Sequence, residues 1–217
     1  MLAPIKKYAS QLMIDMKLKF GFICLILITM NYGIVSSQTN SSTSGFNGVS
    51  IKDSIVDNRD GKIYKTIKVN NQIWLAENLR YKPDSGKYWY PENDSSLVKS
   101  QGYLYNWRTA QNVCPCGFRL PSKEDFEELL QFIGNDESAI KLTRSKEIGF
   151  NALPVGSKYG FNFVPFGYGV TFWTSNSRTK IYAWGFGIAP NAKNVVFGNK
   201  FTKKSGLTIR CMKDIEE

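Results

Sequence analysis

The chain contains no histidine, and this limits the chemistry that its side chains can perform. Nucleophile pairs of the Ser-His-Asp and Cys-His types are excluded. The commonest protein ligand for zinc, copper and non-haem iron is also missing. Carboxylates, lysines and tyrosines are the remaining general acids and bases. We therefore expect no metal or other cofactor, and a protein that binds rather than catalyses.

The cysteines are the second group of chemically informative residues. Of the four, Cys24 lies in an apolar leader, so Cys114, Cys116 and Cys211 remain in a mature exported chain. Two of these should pair in an oxidising compartment. Cys114 with Cys211 is the favoured pair and Cys116 with Cys211 is the alternative, since a Cys114–Cys116 bridge would close a strained small ring. The third thiol is expected to be buried, or else to be a reactive thiol.

Three consecutive aromatic residues form the candidate binding site. Tyr88, Trp89 and Tyr90 lie in the middle of residues 81–101, which are rich in Tyr, Pro, Asp and Ser and are predicted to form a long loop. Side chains alternate along an extended segment, so at least one ring should be exposed or should cover the edge of the core. Exposed rings stack on sugars or on partner surfaces. The alternative is that the loop folds back and buries all three rings.

Two helices are predicted to frame this loop. Residues 103–113 place apolar side chains at spacings of three, which favours a short helix. Ser122 is the predicted N-cap of a second helix, with Asp125 as a partial capping box and Gly134 at the end. Its apolar stripe has helical spacing and consists of Phe126, Leu129, Leu130 and Ile133.

Strands are predicted on both sides of the helices. Residues 62–69 and 72–76 alternate in polarity around Asn70 and Asn71, which predicts a hairpin with a two-residue turn. Four short strands are predicted later in the chain, at 170–174, 182–188, 195–201 and 207–212. Their spacing indicates a compact, irregular antiparallel sheet, in which Trp173 and Trp184 are expected in the core.

The N-terminus has the composition of an export signal. Lys17 and Lys19 precede an apolar run over residues 20–30, which is short for a membrane span, and we expect cleavage before Gln38. Residues 1–15 would then be an upstream extension of a chain that starts at Met16. Residues 38–50 form a polar linker and residues 215–217 a tail. The mature protein is predicted to be secreted, periplasmic or on the cell surface, and an uncleaved anchor is the alternative.

The net charge is +10, and removal of residues 1–37 leaves 24 basic and 17 acidic residues, or +7. The cations are spread along the chain, which favours a solvated basic surface over nucleic-acid binding. Electrostatic adhesion to anionic polysaccharide or to the cell envelope stays open.

Seven motifs, in order, resemble a known family. They are Asp60–Thr66, Gln72–Leu79, Gly102–Trp107, Cys114–Ser122, Gly149–Pro154, Phe172–Ser175 and Ile209–Cys211. The chain is therefore identified as a member of the Fibrobacter succinogenes major paralogous domain family, a module of exported bacterial proteins, over residues 51–214. More distantly, Arg119–Ser122 and Ile209–Cys211 are similar to the formylglycine-generating and sulfatase-modifying proteins.

The resemblance implies a fold and a disulfide but no settled activity. The implied fold is α+β and C-type-lectin-like, with two main helices, a twisted, loop-rich antiparallel sheet and neighbouring termini. The paired cysteines of the family fall on Cys114 and Cys211. The catalytic cysteine pair of the formylglycine generators and the calcium–sugar triplet of true C-type lectins have no counterpart in this sequence.

Three functions remain as hypotheses. The first is an exported, non-enzymatic module that recognises a glycan or an envelope or cell-surface protein through aromatic loops, with Tyr88, Trp89 and Tyr90 as the ligand site. The second is an enzyme, either a degenerate relative of the sulfatase-modifying proteins or a hydrolase with two carboxylates roughly 5 to 9 Å apart. The third is a structural component of the envelope.

Overall fold

The structure is a computed structural model that describes residues 49–189 and 191–215. The predicted leader, residues 38–48 of the predicted linker and the last two residues of the tail lie outside this part of the chain. Within it, the chain has an α+β fold with mostly antiparallel sheets, as predicted.

The first sheet joins the two ends of the described chain. It contains β1 (Val49–Asp57), β2 (Lys62–Val69), β3 (Gln72–Leu75) and β11 (Met212–Asp214), in the order β1-β2-β3-β11. The predicted hairpin of β2 and β3 is confirmed, with Val69 opposite Gln72. Asn70 adopts a φ of 52°, which asparagine tolerates better than most residues. The strands that begin and end the described chain therefore belong to one sheet.

In the described residues, the longest helix is the one that the Ser122 motif predicts. The α-helices of this part of the chain are α1 (Val98–Gln101), α2 (Trp107–Ala110), α3 (Lys123–Ile133) and α4 (Ser138–Arg144). Ser122 and Asp125 form a complete capping box at the start of α3. Burial alone would raise the pKa of Asp125, but hydrogen bonds from Arg119 and from the Ser122 N–H outweigh it and lower the pKa. The helix start is thus fixed by a carboxylate that stays ionised.

The predicted helix over residues 103–113 is wrong in most of its length. Leu104 and Tyr105 form strand β5, which pairs with β4 (Tyr88–Trp89). The helical segment is the single turn α2, and the Asn106 side chain accepts a hydrogen bond from the Thr109 N–H at its start. The pairing of β5 with β4 therefore determines the conformation of this segment, despite the helical spacing of its apolar residues. The second-longest helix of the described residues is α4 instead, which the sequence reading missed.

The second sheet confirms three of the late strands. It consists of β8 (Val170–Ser177), β9 (Tyr182–Ile188) and β10 (Val196–Thr202), in the order β10-β9-β8. The predicted strand over residues 207–212 does not join it as a continuous strand, because Leu207 bridges Tyr105 and the segment from Met212 pairs with β3. Before this sheet comes a small hairpin, β6 (Ser157–Tyr159) and β7 (Asn162–Val164).

The core lies between α3 and the two sheets. Phe126 of α3 stacks on Phe186 of β9 with ring centroids 4.2 Å apart, and it contacts Trp74 of β3 at 5.0 Å. Trp173 is fully buried and donates a hydrogen bond to the Tyr105 carbonyl at 2.7 Å. Trp184, expected in the core, is only half-buried, and the Lys123 ammonium lies 5.7 Å from its ring.

One disulfide joins the approach to α3 with the last part of the chain. Cys114 and Cys211 are bonded across 97 positions, and closing so long a loop contributes on the order of 4 kcal/mol in the chain-entropy picture. The prediction that the third cysteine is a buried thiol is wrong, because Cys116 is exposed. None of the cysteines in the described part of the chain is a free thiol.

Candidate functional site

The β6–β7 hairpin is held in place by glycines at two positions. Gly160 begins its two-residue turn with a φ of 58° and open space beside it. Gly156, just before β6, has a φ of 71°, and a Cβ atom there would lie 1.9 Å from the Val164 carbonyl oxygen. The chain can cross itself this closely only because Gly156 has no side chain.

The two faces of the hairpin have different surroundings. Paired residues of antiparallel strands share a face, so Lys158 and Phe163 lie on one side while Ser157 and Val164 lie on the other. The Lys158 ammonium lies 4.9 Å from the ring centre of Trp89 and 5.5 Å from that of Phe163. The first face is therefore packed against the loop that contains the predicted binding residues.

The second face forms a groove of about 280 Å³ with the sheet of β8, β9 and β10. Gly187 and Gly198 lie on the sheet side of the groove, and the Phe201 ring fills the space beside Gly198, where a Cβ atom would lie 2.4 Å from it. Tyr159 and Tyr168 stand on the hairpin side, and Phe201 lines the groove from β10. Ser157 and Thr171 add hydroxyl groups to the lining. The groove thus combines flat rings with a few polar atoms.

Exposed aromatic rings are concentrated around this groove. Within the described residues, every aromatic side chain among the exposed large apolar ones lies between positions 159 and 168. Phe161, at the tip of the hairpin, is 99% exposed, and Tyr168 is 68% exposed. Tyr159 and Phe166 complete the group, which we call the hairpin rings. Tyr159 and Tyr168 line the groove itself, and exposed apolar surface of this kind marks interaction sites.

The predicted residues Tyr88, Trp89 and Tyr90 lie beside the hairpin and are all half-buried. Together with Gly86, Lys87 and Asn93 they line a depression of about 500 Å³. The rings of Tyr88 and Tyr90 pack on Tyr103 at centroid distances of 5.2 and 5.7 Å. The three rings are thus brought to one concave surface, and each already packs against a neighbour. Ligand binding by them stays a prediction.

Trp89 is enclosed from two directions. Lys158 covers its ring, and the backbone of Gly206 approaches so closely that a Cβ atom there would lie 2.8 Å from the indole. Glu92, three residues on, accepts a hydrogen bond from the Phe166 N–H at 2.9 Å. Trp89 and Glu92 therefore connect the loop to the hairpin.

The family model of the Fibrobacter succinogenes major domain matches residues 67–213. The chain belongs to this family. The match confirms the resemblance in the sequence, and it contains the groove, the depression and the Cys114–Cys211 disulfide. No curated protein and no solved structure matches the chain. Similarity to the sulfatase-modifying proteins stays a prediction.

The last of the seven motifs of this Fibrobacter succinogenes major domain, Ile209–Cys211, has a structural role that sequence reasoning missed. Arg210 is fully buried and donates hydrogen bonds to the Phe150 carbonyl, to the Asn151 carbonyl at 3.2 Å and to the Asn78 side chain at 2.7 Å. Burial lowers its pKa to about 9, against the attraction of Glu77. Arg210 thus fixes the segment that leads into the hairpin.

Lys87 is the one charged side chain in the linings of the groove and the depression. Neither the groove nor the depression is lined by an Asp, Glu or Cys residue. In the described residues, no group of three or more His, Cys, Asp or Glu side chains is placed to hold a metal ion. No helix of the same residues is long and apolar enough to cross a membrane. Both surfaces offer aromatic rings and hydroxyl groups, and the depression adds the side-chain amide of Asn93.

The hairpin rings are the functional candidates that the sequence reading overlooked. Their signal was present, because residues 149–169 are rich in glycine and aromatic residues. Composition alone does not show which rings are covered, and two short strands joined by Gly160 and Phe161 give little periodicity to detect.

Proposed function

We propose that this chain is an exported, non-enzymatic binding module that recognises a glycan through the groove beside the β6–β7 hairpin. The observation that carries the proposal is the clustering of exposed rings around a glycine-floored groove. The depression lined by Tyr88, Trp89 and Tyr90 is the second part of the proposed surface.

The chemistry of the groove fits a sugar. Pyranose rings present flat C–H faces that stack on aromatic rings, and tyrosine adds a hydroxyl group for hydrogen bonding. Tyr159, Tyr168 and Phe201 supply the rings, while Ser157 and Thr171 supply further hydroxyl groups. A groove that is apolar with a few polar atoms is the usual composition of a ligand site.

A protein of the envelope or cell surface is the second partner class. Phe161 favours it, because its ring is 99% exposed at the hairpin tip and has no polar atom to offer to a sugar. A lone protruding ring of this kind is suited to an apolar pocket on another protein.

The proposal includes a C-type-lectin-like architecture and an exported location. The combination of helices with mostly antiparallel sheets in the described residues supports this architecture. The Cys114–Cys211 disulfide supports an oxidising compartment, where such bonds persist.

The test is an array of glycans and envelope proteins probed with the purified full chain. We expect Tyr168→Ala to abolish the binding seen with wild type, because it removes the most exposed ring of the groove lining. The matched control is Ile63→Ala, which removes an exposed apolar side chain (57%) from β2. Retained binding in Tyr168→Ala, or no binding by the wild type, would overturn the proposal.

A further inference from the structure

The sheet of β8, β9 and β10 carries three glycines on the face that borders the groove. Gly185 pairs with Gly198 of β10. Gly187 pairs with Val196 of β10 on one side and with Thr171 of β8 on the other. Paired residues share a face, and so do residues two apart in one strand, so all five belong to the same face. Glycine inside a strand often marks a place where another group approaches the backbone closely.

Two of the three glycines are covered by a ring of the protein itself. Phe201 follows a bulge in β10, and its ring would lie 2.9 Å from a Cβ atom at Gly185 and 2.4 Å from one at Gly198. The ring therefore rests directly on the backbone at these two positions, where an alanine would collide with it. Its far side meets the buried Trp173 ring edge-on, with centroids 6.3 Å apart. This face of the sheet is thus shaped to hold flat rings against glycine.

Gly187 differs from the other two glycines, because the protein has room for a side chain there. A Cβ atom at this position would have Thr171 Oγ1, Val196 Cγ2 and the Val196 carbonyl oxygen as its three nearest atoms, all at 3.6 Å. This distance is ordinary van der Waals contact. The φ of Gly187 is also outside the left-handed region that favours glycine. Neither a clash nor the backbone conformation requires a glycine here, so a group from outside the chain is the remaining reason.

The described residues that line this groove include no Lys, Arg, Asp or Glu. Lys158 belongs to the opposite face of the hairpin, where its ammonium lies 4.9 Å from the ring centre of Trp89. A charged group of a ligand would lose its water in the groove without gaining a counter-charge, which costs free energy. Hydroxyl groups of a ligand do find partners, because Ser157, Tyr159 and Thr171 line the groove. The lining therefore favours a ligand that is polar but uncharged.

We propose that the groove accepts an uncharged glycan, one pyranose ring of which lies directly against the Gly187 backbone, and that Gly187 determines whether this ring fits. The inference rests on the glycan recognition proposed above. The C–H face of the sugar takes the position on Gly187 that the Phe201 ring takes on the other two glycines. The Thr171 hydroxyl and the Val196 methyl groups flank that position and contact the edges of the sugar.

The first measurement sorts the glycans of the array by charge and adds polymers that share a backbone. Hydroxyethyl cellulose is paired with carboxymethyl cellulose, dextran with carboxymethyl dextran, and methyl-esterified polygalacturonate with polygalacturonate. Biolayer interferometry of the full chain is run at low and high salt, because its net charge of +10 attracts any polyanion until salt screens it. We expect a neutral glycan to bind with less than about twofold dependence on salt. At high salt, acidic partners should bind about tenfold more weakly than neutral ones.

The variant Gly187→Ala places one methyl group on the floor of the groove. Its thermal stability should equal or exceed that of the wild type, because alanine loses less chain entropy than glycine on folding. Binding of the neutral glycan should weaken about tenfold, since the methyl group holds the sugar ring away from the backbone. The matched control is Val56→Ile, which adds one carbon to an exposed side chain of β1. It should change the affinity by less than about twofold.

The outcomes separate this inference from glycan recognition itself. Neutral binding that is lost in Tyr168→Ala but kept in Gly187→Ala overturns the role of Gly187 and leaves glycan recognition standing. Acidic glycans that bind at high salt as tightly as neutral ones, with loss in Tyr168→Ala, overturn the uncharged ligand alone. A lower stability of Gly187→Ala would show that the protein itself needs the glycine, and it would overturn the inference too. If no glycan binds, or if Tyr168→Ala has no effect, both proposals fail.

Discussion

The loop of residues 86–93 and the segment of residues 156–168 are both rich in aromatic rings, but they use them differently. In the loop, the rings of Tyr88 and Tyr90 pack on Tyr103, and Trp89 lies between Lys158 and Gly206. In the second segment, Phe161 and its neighbours extend into solvent. Aromatic composition is similar in the two regions. They differ in that other residues cover the rings of the loop, whereas the hairpin rings of the second segment are exposed to solvent.

The difference arises because the two faces of the β6–β7 hairpin have different neighbours. One face of β6 and β7 lies on Trp89, whereas the groove separates the other face from the second sheet. Side chains alternate between these faces, so the same two strands both anchor the hairpin and present rings. The comparison predicts that substitutions in the loop affect stability and that substitutions of the hairpin rings affect binding.

The largest expected effect comes from breaking the hairpin itself. Gly156→Ala should cost about 3 kcal/mol of unfolding free energy, because it combines a left-handed φ with a clash against the Val164 carbonyl. Gly160→Ala is the matched control, since it has a similar φ and open space, and should cost about 1 kcal/mol. Urea unfolding measures both. Equal costs in unfolding free energy would show that the Val164 carbonyl can shift away from the new Cβ atom without loss of stability.

A smaller effect is expected from removing one ring in each region. Trp89→Ala should cost about 2 kcal/mol, since the half-buried indole packs against Lys158 and Gly206. Phe161→Ala should cost less than about 0.5 kcal/mol, because the ring is 99% exposed. Thermal and urea unfolding provide the measurement. The comparison between the regions fails if Phe161→Ala is the more damaging change.

The smallest effect concerns the tyrosines beneath the loop. Burial raises the pKa of Tyr105 well above its usual value and also raises that of Tyr64, where a hydrogen bond from the Arg80 N–H opposes the change. These phenols ionise near pH 10 in the unfolded chain. Their contribution to stability is therefore complete below pH 10 and is lost as the pH rises above it.

Between pH 9 and pH 11, the unfolding free energy should fall by about 1 kcal/mol for Tyr105 alone. The measurement is urea unfolding at several pH values, with Tyr105→Phe as the control. The variant should lose less stability than the wild type over this range. Identical pH dependence in the two proteins would show that Tyr105 is not the group responsible.

Local signals in the sequence predicted the elements that depend on local chemistry. Ser122 and Asp125 cap α3 as expected, and Asn70 turns the β2–β3 hairpin. The pairing of Cys114 with Cys211 also agrees with the structure. The first two features are specified by a few neighbouring residues, whereas the disulfide spans 97 positions and was indicated by the family resemblance.

The remaining features depend on contacts between distant parts of the chain. Leu104 and Tyr105 have helical spacing, yet they pair with β4 and with Leu207. Arg210 is buried and donates hydrogen bonds to carbonyl groups some 60 positions earlier in the chain. The same holds for the candidate site, because Trp89 is covered by Lys158 and Phe161 is covered by nothing near it in the described chain. The sequence identifies the aromatic residues but does not show which of their rings are buried by other parts of the chain.

The disulfide has a consequence for limited proteolysis. Phe161 lies between Cys114 and Cys211, and its exposed position at a hairpin tip is the kind of place that proteases cut first. Since the two flanking pieces would stay covalently linked, a nicked molecule would migrate as one species until a reductant separated it into two fragments. The exposed hairpin could therefore be cleaved by a protease without the molecule coming apart.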